Sequence, residues 1–300
     1  GKIELHYQYL DTKRNSGRTY LDRLASFMQF KTRLNRIRYA LIICSDNNAL
    51  DFINRYGDRL YPDVPVVFCG INNYRPEMVQ IKRPVTGVVE TIDYEGTLAL
   101  MDRIHPGRDQ VLVILDRTTT GQALKEEFDR VAIKFQNRFS FDYYQDFLLS
   151  DVPGRISKLG EKDLIYLLTF NRDKSGFFIS YTDGIRMIRS ASRVPIYGSW
   201  DFYFGNGIVG GAITSGESQG REAGRMAAMI LSGTSAGSIP VRTEGTSQYM
   251  FDFRQMQAYD IKARQVPEKS RIIHLPLSLA ERYRNQIISL LAAVSLAVVI

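Results

Sequence analysis

Residues 64–73 read Val-Pro-Val-Val-Phe-Cys-Gly-Ile-Asn-Asn. A proline opens this β-branched and aromatic run, and a Gly-x-Asn-Asn turn closes it. Apolar side chains on both faces mark a strand buried in a parallel sheet. The carboxyl end of such a strand is where an open α/β sheet presents groups to a ligand. The same unit recurs along the chain. Residues 39–44 (YALIIC) run into Ser45, Asp46, Asn47 and Asn48, residues 111–115 run into Asp116 and then Thr118, Thr119 and Thr120, and residues 164–168 run into Thr169, Phe170 and Asn171. Each time an apolar strand delivers short polar side chains to a loop just ahead of a helix. That pattern predicts a binding cleft before it predicts a catalyst.

Working outward, β and α segments alternate. Ile3, Leu5, Tyr7 and Tyr9 alternate with polar neighbours, so the first segment reads as a half-buried strand. Leu21, Leu24, Ala25 and Met28 follow helical spacing. Asn47 or Asn48 caps a helix that Gly57 is expected to end, and residues 76–81 read as a short helix. Further strands are expected at 85–90, 139–144, 195–198, 208–214 and 248–253. Helices are expected at 93–104, 121–135, 183–192 and 217–231. Such alternation implies parallel sheets with helices on both faces.

Three hundred residues with 44% hydrophobic content can bury two cores. The net charge of +7 is spread singly along the chain, without a basic run interleaved with aromatics, so nucleic acid is not an expected partner. The two cysteines, Cys44 and Cys69, each lie near the end of a buried-type strand; neighbouring strands would let the sulfurs approach, and two small buried thiols is the preferred reading. His6, His105 and His274 lack ligand spacing, so no metal site is expected. No P-loop or dinucleotide fingerprint occurs, and no cofactor is expected. Residues 233–237 match G-x-S-x-G, and Asp252 or Asp260 with His274 completes the chain order of a hydrolase triad. An elbow serine follows a strand, however, whereas Ser235 follows the end of a helix and precedes Pro240.

Candidate ligand contacts come from the loops after the strands. Ser45, Asp46, Asn47, Asn72 and Asn73 supply donors and acceptors for a small polar group. Thr118, Thr119 and Thr120 open a helix whose first amides suit a carboxylate. Asn171 lies on the next loop. Trp200, the single tryptophan, and Asp201 follow the 195–198 strand inside an aromatic cluster. The indole suits either stacking on a planar ligand or packing between lobes. The glycines Gly207, Gly210 and Gly211 read equally as a hinge or as close packing. At the other end, residues 287–300 carry no charge, a run shorter than the roughly 20 residues that span a bilayer. It reads as the start of a transmembrane helix, with a buried or partner-packing helix as the alternative, and Leu279, Tyr283, Gln286 and Ile287 read as a stripe that packs on a partner or folds back onto the chain's own lobe.

The order of the 64–73 run, Val85-Thr86-Gly87-Val88-Val89-Glu90, His105-Pro106-Gly107, the 116–121 loop and Val194-Pro195-Ile196-Tyr197-Gly198-Ser199 resembles the ABC-transporter-type substrate-binding family with the type I periplasmic-binding-protein fold. Residues 9–14 and 45–49 resemble the branch used as sensor domains of membrane-bound histidine kinases and related signalling proteins. The resemblance covers residues 3–275 and implies an α/β protein of two lobes, each a parallel sheet with helices on both faces, plus a C-terminal apolar helix. It implies lobe one at 1–87, with the family's first strand and helix missing, lobe two at 88–206, a return to lobe one at 207–235 and a final lobe-two segment at 236–275. A juxtamembrane segment and the start of a membrane helix then occupy 276–300. The function implied is a non-catalytic sensor of amino acids or similar metabolites, a homodimer anchored in the bacterial inner membrane with this domain outside it. The alternative is the solute-binding component of an ABC importer.

Overall fold

The computed structural model describes residues 3–12, 14, 15, 17–243 and 247–276, together with Tyr283 and Gln286. The chain begins with α1 (Arg18–Leu34), β1 (Ile42–Ser45), α2 (Asn47–Leu60), β2 (Val66–Ile71) and β3 (Val85–Val89). These three strands form a parallel sheet in the order β1-β2-β3. The chain continues through α3 (Tyr94–Ile104), β4 (Gln110–Ile114), α4 (Thr119–Ala132), β5 (Ser140–Tyr144), α5 (Val152–Ile156), β6 (Asp163–Leu167), α6 (Tyr181–Ala191), β7 (Ile196–Gly198) and β8 (Gly210–Thr214). After α7 (Gly216–Leu231) come β9 (Ser247–Asp252), α8 (Phe253–Ala258) and β10 (Arg271–Ile273). The second sheet has seven strands in the order β10-β9-β8-β7-β6-β4-β5.

The run that opened the sequence reading is β2, buried at every position and central in the small sheet. Its side chains alternate between two cores. Phe68 packs with Cys44 and α2 on one face, whereas Val67 and Cys69 pack with Val88 and Ala223 and Met226 of α7 on the other. Fully burying each such apolar side chain contributes about 1.5–3 kcal/mol. Cys44 and Cys69 are both free, and they belong to opposite faces of the sheet. Burial pushes the Cys44 thiol up to about 12.

Not every strand is parallel. β9 runs antiparallel to β8, with Thr214 opposite Ser247, where two parallel sheets were expected. The reason lies in the route. The chain leaves β8 for α7 and a strap at 236–243, both packed on the small sheet, with Thr86 Oγ1 donating to the Ile239 carbonyl at 2.9 Å and Arg242 bridging Val88. It re-enters the large sheet at the end it left, so the next strand must run backwards. The strap was expected in lobe two, and β8 was grouped with the return to lobe one.

Other expectations fail for local reasons. Residues 3–10 form no strand, and Ile3, Leu5, Tyr7 and Tyr9 are exposed. Alternation specifies a strand only where a sheet offers a partner edge and a face to bury. β1 is the edge strand of the small sheet, and among the described residues nothing pairs with its outer side. Gly57 does not end α2. It lies inside the helix because the Arg83 guanidinium, held by Asp58 and the Tyr61 carbonyl, occupies the space a Cβ would need. Gly210 and Gly211, at φ of 151° and 153°, sit within the large sheet, where a Cβ would meet the Met250 carbonyl at 2.1 Å and the Gly198 carbonyl at 2.5 Å. Close strand packing accounts for them.

The chain passes between the sheets three times, at 90–93, at 214–215 and between the strap and β9. Thr214 Oγ1 donates to the Thr91 carbonyl at 3.0 Å, and Thr91 Oγ1 donates to the Thr243 carbonyl at 2.7 Å. The apolar tail from 287 onward, and Leu279 of the stripe before it, lie outside the described residues. Among those described, no helix is long and apolar enough to cross a membrane.

Candidate functional site

The carboxyl ends of β1, β2 and β3 face those of β4, β6 and β7, which brings the polar loops together across a cleft. On the small-sheet side, Asn47 brackets the loop after β2. Its Nδ2 donates to the Asn72 carbonyl at 3.0 Å, and its Oδ1 accepts from Asn72 N–H at 2.9 Å. The Asn47 amide is therefore engaged in shaping the loop. Asp46 stands at the N-cap position of α2 with φ at 75° and no side-chain bond to the helix amides, and its N–H donates to the Cys69 carbonyl. Gly70, at φ of 66°, lets the carboxylates of Asp46 and Glu90 crowd one point, since a Cβ there would lie 3.3 Å from Asp46 Oδ1 and 3.6 Å from Glu90 Oε2. The Asn72 side chain hydrogen-bonds Glu90, and its Oδ1 is buried without a partner. Ser45 hydrogen-bonds Cys69.

On the large-sheet side the organiser is Asp116, 1% exposed. Its carboxylate accepts from Thr118 N–H at 3.1 Å, from the Thr118 hydroxyl, from Thr169 Oγ1 at 3.3 Å and from Asn171 N–H at 2.8 Å. Thr118 and Asn171, proposed from the sequence as ligand contacts, thus converge on a buried brace. Asn171 is itself buried, and its amide donates to the Ile179 carbonyl. Thr119 and Thr120 are exposed in the first turn of α4.

Two hydrogen bonds can be traced across the cleft among the described residues. Trp200 Nε1 donates to the Glu90 carboxylate, and Asn73 N–H donates to Glu127 of α4. Trp200 is 8% exposed and stacks on Phe202 with centroids 5.9 Å apart, while Asp201 opens the short helical turn that follows. The indole is therefore committed to the junction between the sheets. Burial, reinforced by the charge of Asp46, pushes Glu90 above its ordinary value despite hydrogen bonds from Trp200 and Asn72. Burial also raises Glu127, and Arg130 and the Asn73 amide oppose that rise.

Beside the crossings lies a cleft of about 380 Å³ lined by Asn73, Tyr74, Glu90, Tyr94, Glu127 and Arg130 among others, within the size range of small-molecule sites. Four of these residues, together with Asp116, are functional candidates that the sequence reading missed. Glu90 carried a signal, a lone charge ending the apolar run Val85–Val89. Tyr94, Glu127 and Arg130 carried none, because charged and aromatic residues on amphipathic helices are ordinary.

Ser235 immediately precedes the strap, which packs against the small sheet. Asp252 and His274, hydrogen-bonded at 2.9 Å, sit on or beside the last strands of the large one. No hydrolase triad is assembled. Among the described residues no group of three or more His, Cys, Asp or Glu is arranged for a metal ion.

Two α/β sheets joined by three crossings, with facing carboxyl ends and a small cleft, define a two-lobed binding protein. The chain belongs to the ABC transporter substrate binding protein family, whose profile matches residues 28–269; this is a family of non-catalytic binders. Solved structures agree with the fold. The ligand-free, open form of CD0873, a substrate binding protein with adhesive properties from Clostridium difficile, is 15% identical at a TM-score of 0.61, covering 85% of this chain and 84% of that one. An ABC domain from Streptococcus pneumonia in complex with L-Trp is 16% identical at a TM-score of 0.60, covering 84% of each chain. A conserved domain protein from Vibrio cholerae is 16% identical at a TM-score of 0.59, covering 84% and 83%. No curated protein matches the chain.

Proposed function

We propose that this chain is an extracytoplasmic binder of a small organic solute, held between the sheets and drawing them together, and that it serves as the solute-binding component of an ABC importer. The observation that carries the reading is the facing of polar strand ends across a cleft that Trp200 and Glu90 already bridge. The family match supports the importer assignment. An amino acid is the ligand class favoured, in keeping with the L-Trp complex of the pneumococcal relative. Asp46 and Asn72 are the first contacts, since both stand beyond strand ends, outside the core.

A second reading has its own support. The uncharged run at 287–300 suits a sensor domain of a membrane signalling protein, dimeric and anchored in the inner membrane, that reports lobe closure to an output domain. Fractionation of the native protein separates the two: a soluble periplasmic pool supports the importer, and a membrane pool resistant to salt supports the sensor.

Binding itself is tested by thermal shift and calorimetry against libraries of small solutes. A ligand at about a hundred times its dissociation constant stabilises the chain by roughly 2.7 kcal/mol. The double variant Asp46→Ala, Asn72→Ala is expected to lose that shift while its unliganded melting profile stays cooperative. Unchanged affinity in the double variant would move the site elsewhere.

A further inference from the structure

The helix α1 gives one side to the core and turns an apolar one to solvent. Ala25 and Met28 are buried in the cluster that holds α2 and Cys44 of β1, with Leu21 and Leu24 partly buried beside them. Phe27, Phe30 and Leu34, spaced by three and four residues, fall on the opposite side and are 57%, 63% and 66% exposed. A surface helix ordinarily places polar side chains there, and a contiguous exposed apolar patch marks an interaction site. The charges that accompany the patch share one sign. Arg23 precedes Phe27 by four residues, Lys31 follows it by four, and Arg33 lies on the flank; all three are exposed. Residues 18–38 hold six cations against one acid, so five of the chain's seven net positive charges reside there. The one acid, Asp22, accepts from the Tyr56 hydroxyl at 2.7 Å. Among the described residues, the salt bridges nearest in sequence are Arg14 with Asp11 and Arg83 with Asp58, which leaves the three cations of the patch without an anion of the protein.

The chemistry of this face selects its partner. A two-fold pairing with a second copy would set the patch against itself and bring Arg23 and Lys31 up to like charges. A bilayer with anionic headgroups has the complementary sign and no register to match. Aromatic and leucine side chains among Arg and Lys suit a helix lying in that interface, where the rings enter the headgroup boundary and the cations reach the phosphates. At 1.5 Å per residue α1 is about 25 Å long, enough to lie flat on such a surface.

We propose that the outer face of α1 docks on the anionic surface of a phospholipid bilayer, with Phe27, Phe30 and Leu34 entering it and Arg23, Lys31 and Arg33 meeting its phosphates. The association is peripheral and reversible. It does not depend on the identity of the solute, nor on whether the chain serves an importer or a sensor. Salt releases it, because the screening length of about 10 Å at 0.1 M falls to about 3 Å at 1 M.

The test floats the 300-residue chain with unilamellar vesicles of phosphatidylcholine, alone or with about one third phosphatidylglycerol, at low salt and at about 1 M sodium chloride. Binding at low salt is expected to be at least about tenfold tighter on the anionic vesicles, and high salt is expected to remove that preference. Each cation near an anionic surface is worth roughly fivefold in affinity. Arg23→Gln with Lys31→Gln and Arg33→Gln is therefore expected to lose the preference, whereas Arg23→Lys with Arg33→Lys keeps it. Phe27→Ser with Phe30→Ser is expected to weaken binding at least about tenfold. The altered side chains are exposed, and circular-dichroism melts establish that each variant is folded. The uncharged run at 287–300 is common to all variants, so its own contribution does not distinguish them. An environment-sensitive dye on Ser26→Cys reports α1 itself, since Cys44 and Cys69 are buried, and its emission is expected to shift to the blue on anionic vesicles. Equal binding to the two kinds of vesicle, an unshifted dye, or binding that the α1 variants leave unchanged overturns the proposal. A dimer seen by light scattering that Phe27→Ser with Phe30→Ser dissociates, without flotation on anionic vesicles, also overturns it and assigns the face to a second copy.

Discussion

Asp116 shows how one buried side chain can organise a loop cluster. Four donors from two loops converge on its carboxylate, so the ends of β4 and β6 are held in one arrangement. Asp116→Ala leaves those donors buried and unpaired, and each such loss costs about 1–3 kcal/mol. A denaturation midpoint corresponding to at least about 3 kcal/mol of lost stability is expected, and a loss under 1 kcal/mol would mean that water replaces the carboxylate. His105 offers a titration with a defined sign. Burial, aided by the Arg108 charge, holds its pKa down at about 4 rather than 6.5, and its Nε2 meets the Tyr197 hydroxyl at 2.8 Å. Below pH 6.5 the unfolded chain takes up a proton that the folded chain refuses until about pH 4. The contribution is therefore fully present above 6.5 and lost as pH falls through that window. Stability curves of the native chain and of His105→Gln, measured from pH 7.5 to 4, are expected to differ by one proton in slope. Parallel curves would place the imidazole in water.

At the scale of elements, the sequence made the buried strands and amphipathic helices legible because their signals are local. Val66–Ile71 is apolar on both faces, and the helix after Asp93 begins with a cap whose carboxylate accepts the Gly96 N–H at 2.7 Å. What stayed hidden depends on partners distant in the chain. The alternation at residues 3–9 looks like a strand, yet the segment pairs with no strand and its apolar side chains stay exposed, although the outer edge of β1 is open. The direction of β9 follows from a route through the other sheet, which no window of sequence contains. The candidate site divides the same way. Loops after strands were visible, whereas Tyr94, Glu127 and Arg130 became candidates only when α3 and α4 were packed beside Glu90. The strap provides an element-scale test. Thr86 is fully buried and its hydroxyl holds the Ile239 carbonyl. Thr86→Val keeps the shape and deletes the bond, so a loss of about 1 kcal/mol is expected. Hydrogen exchange should rise selectively at 236–243, and a uniform rise across both sheets would contradict an independently docked strap.

For the whole molecule, the decisive question is whether the two sheets move against each other. The crossings are narrow and tied side by side through Thr91, Thr214 and Thr243, an arrangement that permits rotation about one line while resisting separation. Away from the crossings, the junction includes, among the described residues, the indole of Trp200 on Glu90, the Asn73 amide on Glu127, and the Arg14 guanidinium 5.3 Å from the Phe178 ring centroid. A ligand shifts such a junction only by its differential affinity for the two arrangements of the sheets. Trp200 is the single tryptophan and sits at the moving boundary, so its emission reports that boundary directly. A saturating solute is expected to shift Trp200 emission and to lower the radius of gyration seen by X-ray scattering. Glu90→Gln, which replaces the carboxyl acceptor of the indole N–H, is expected to alter the emission of the unliganded chain while leaving its melting cooperative. If a bound solute leaves both emission and radius of gyration unchanged, the sheets form one fixed body and lobe closure is not how this protein responds to its ligand.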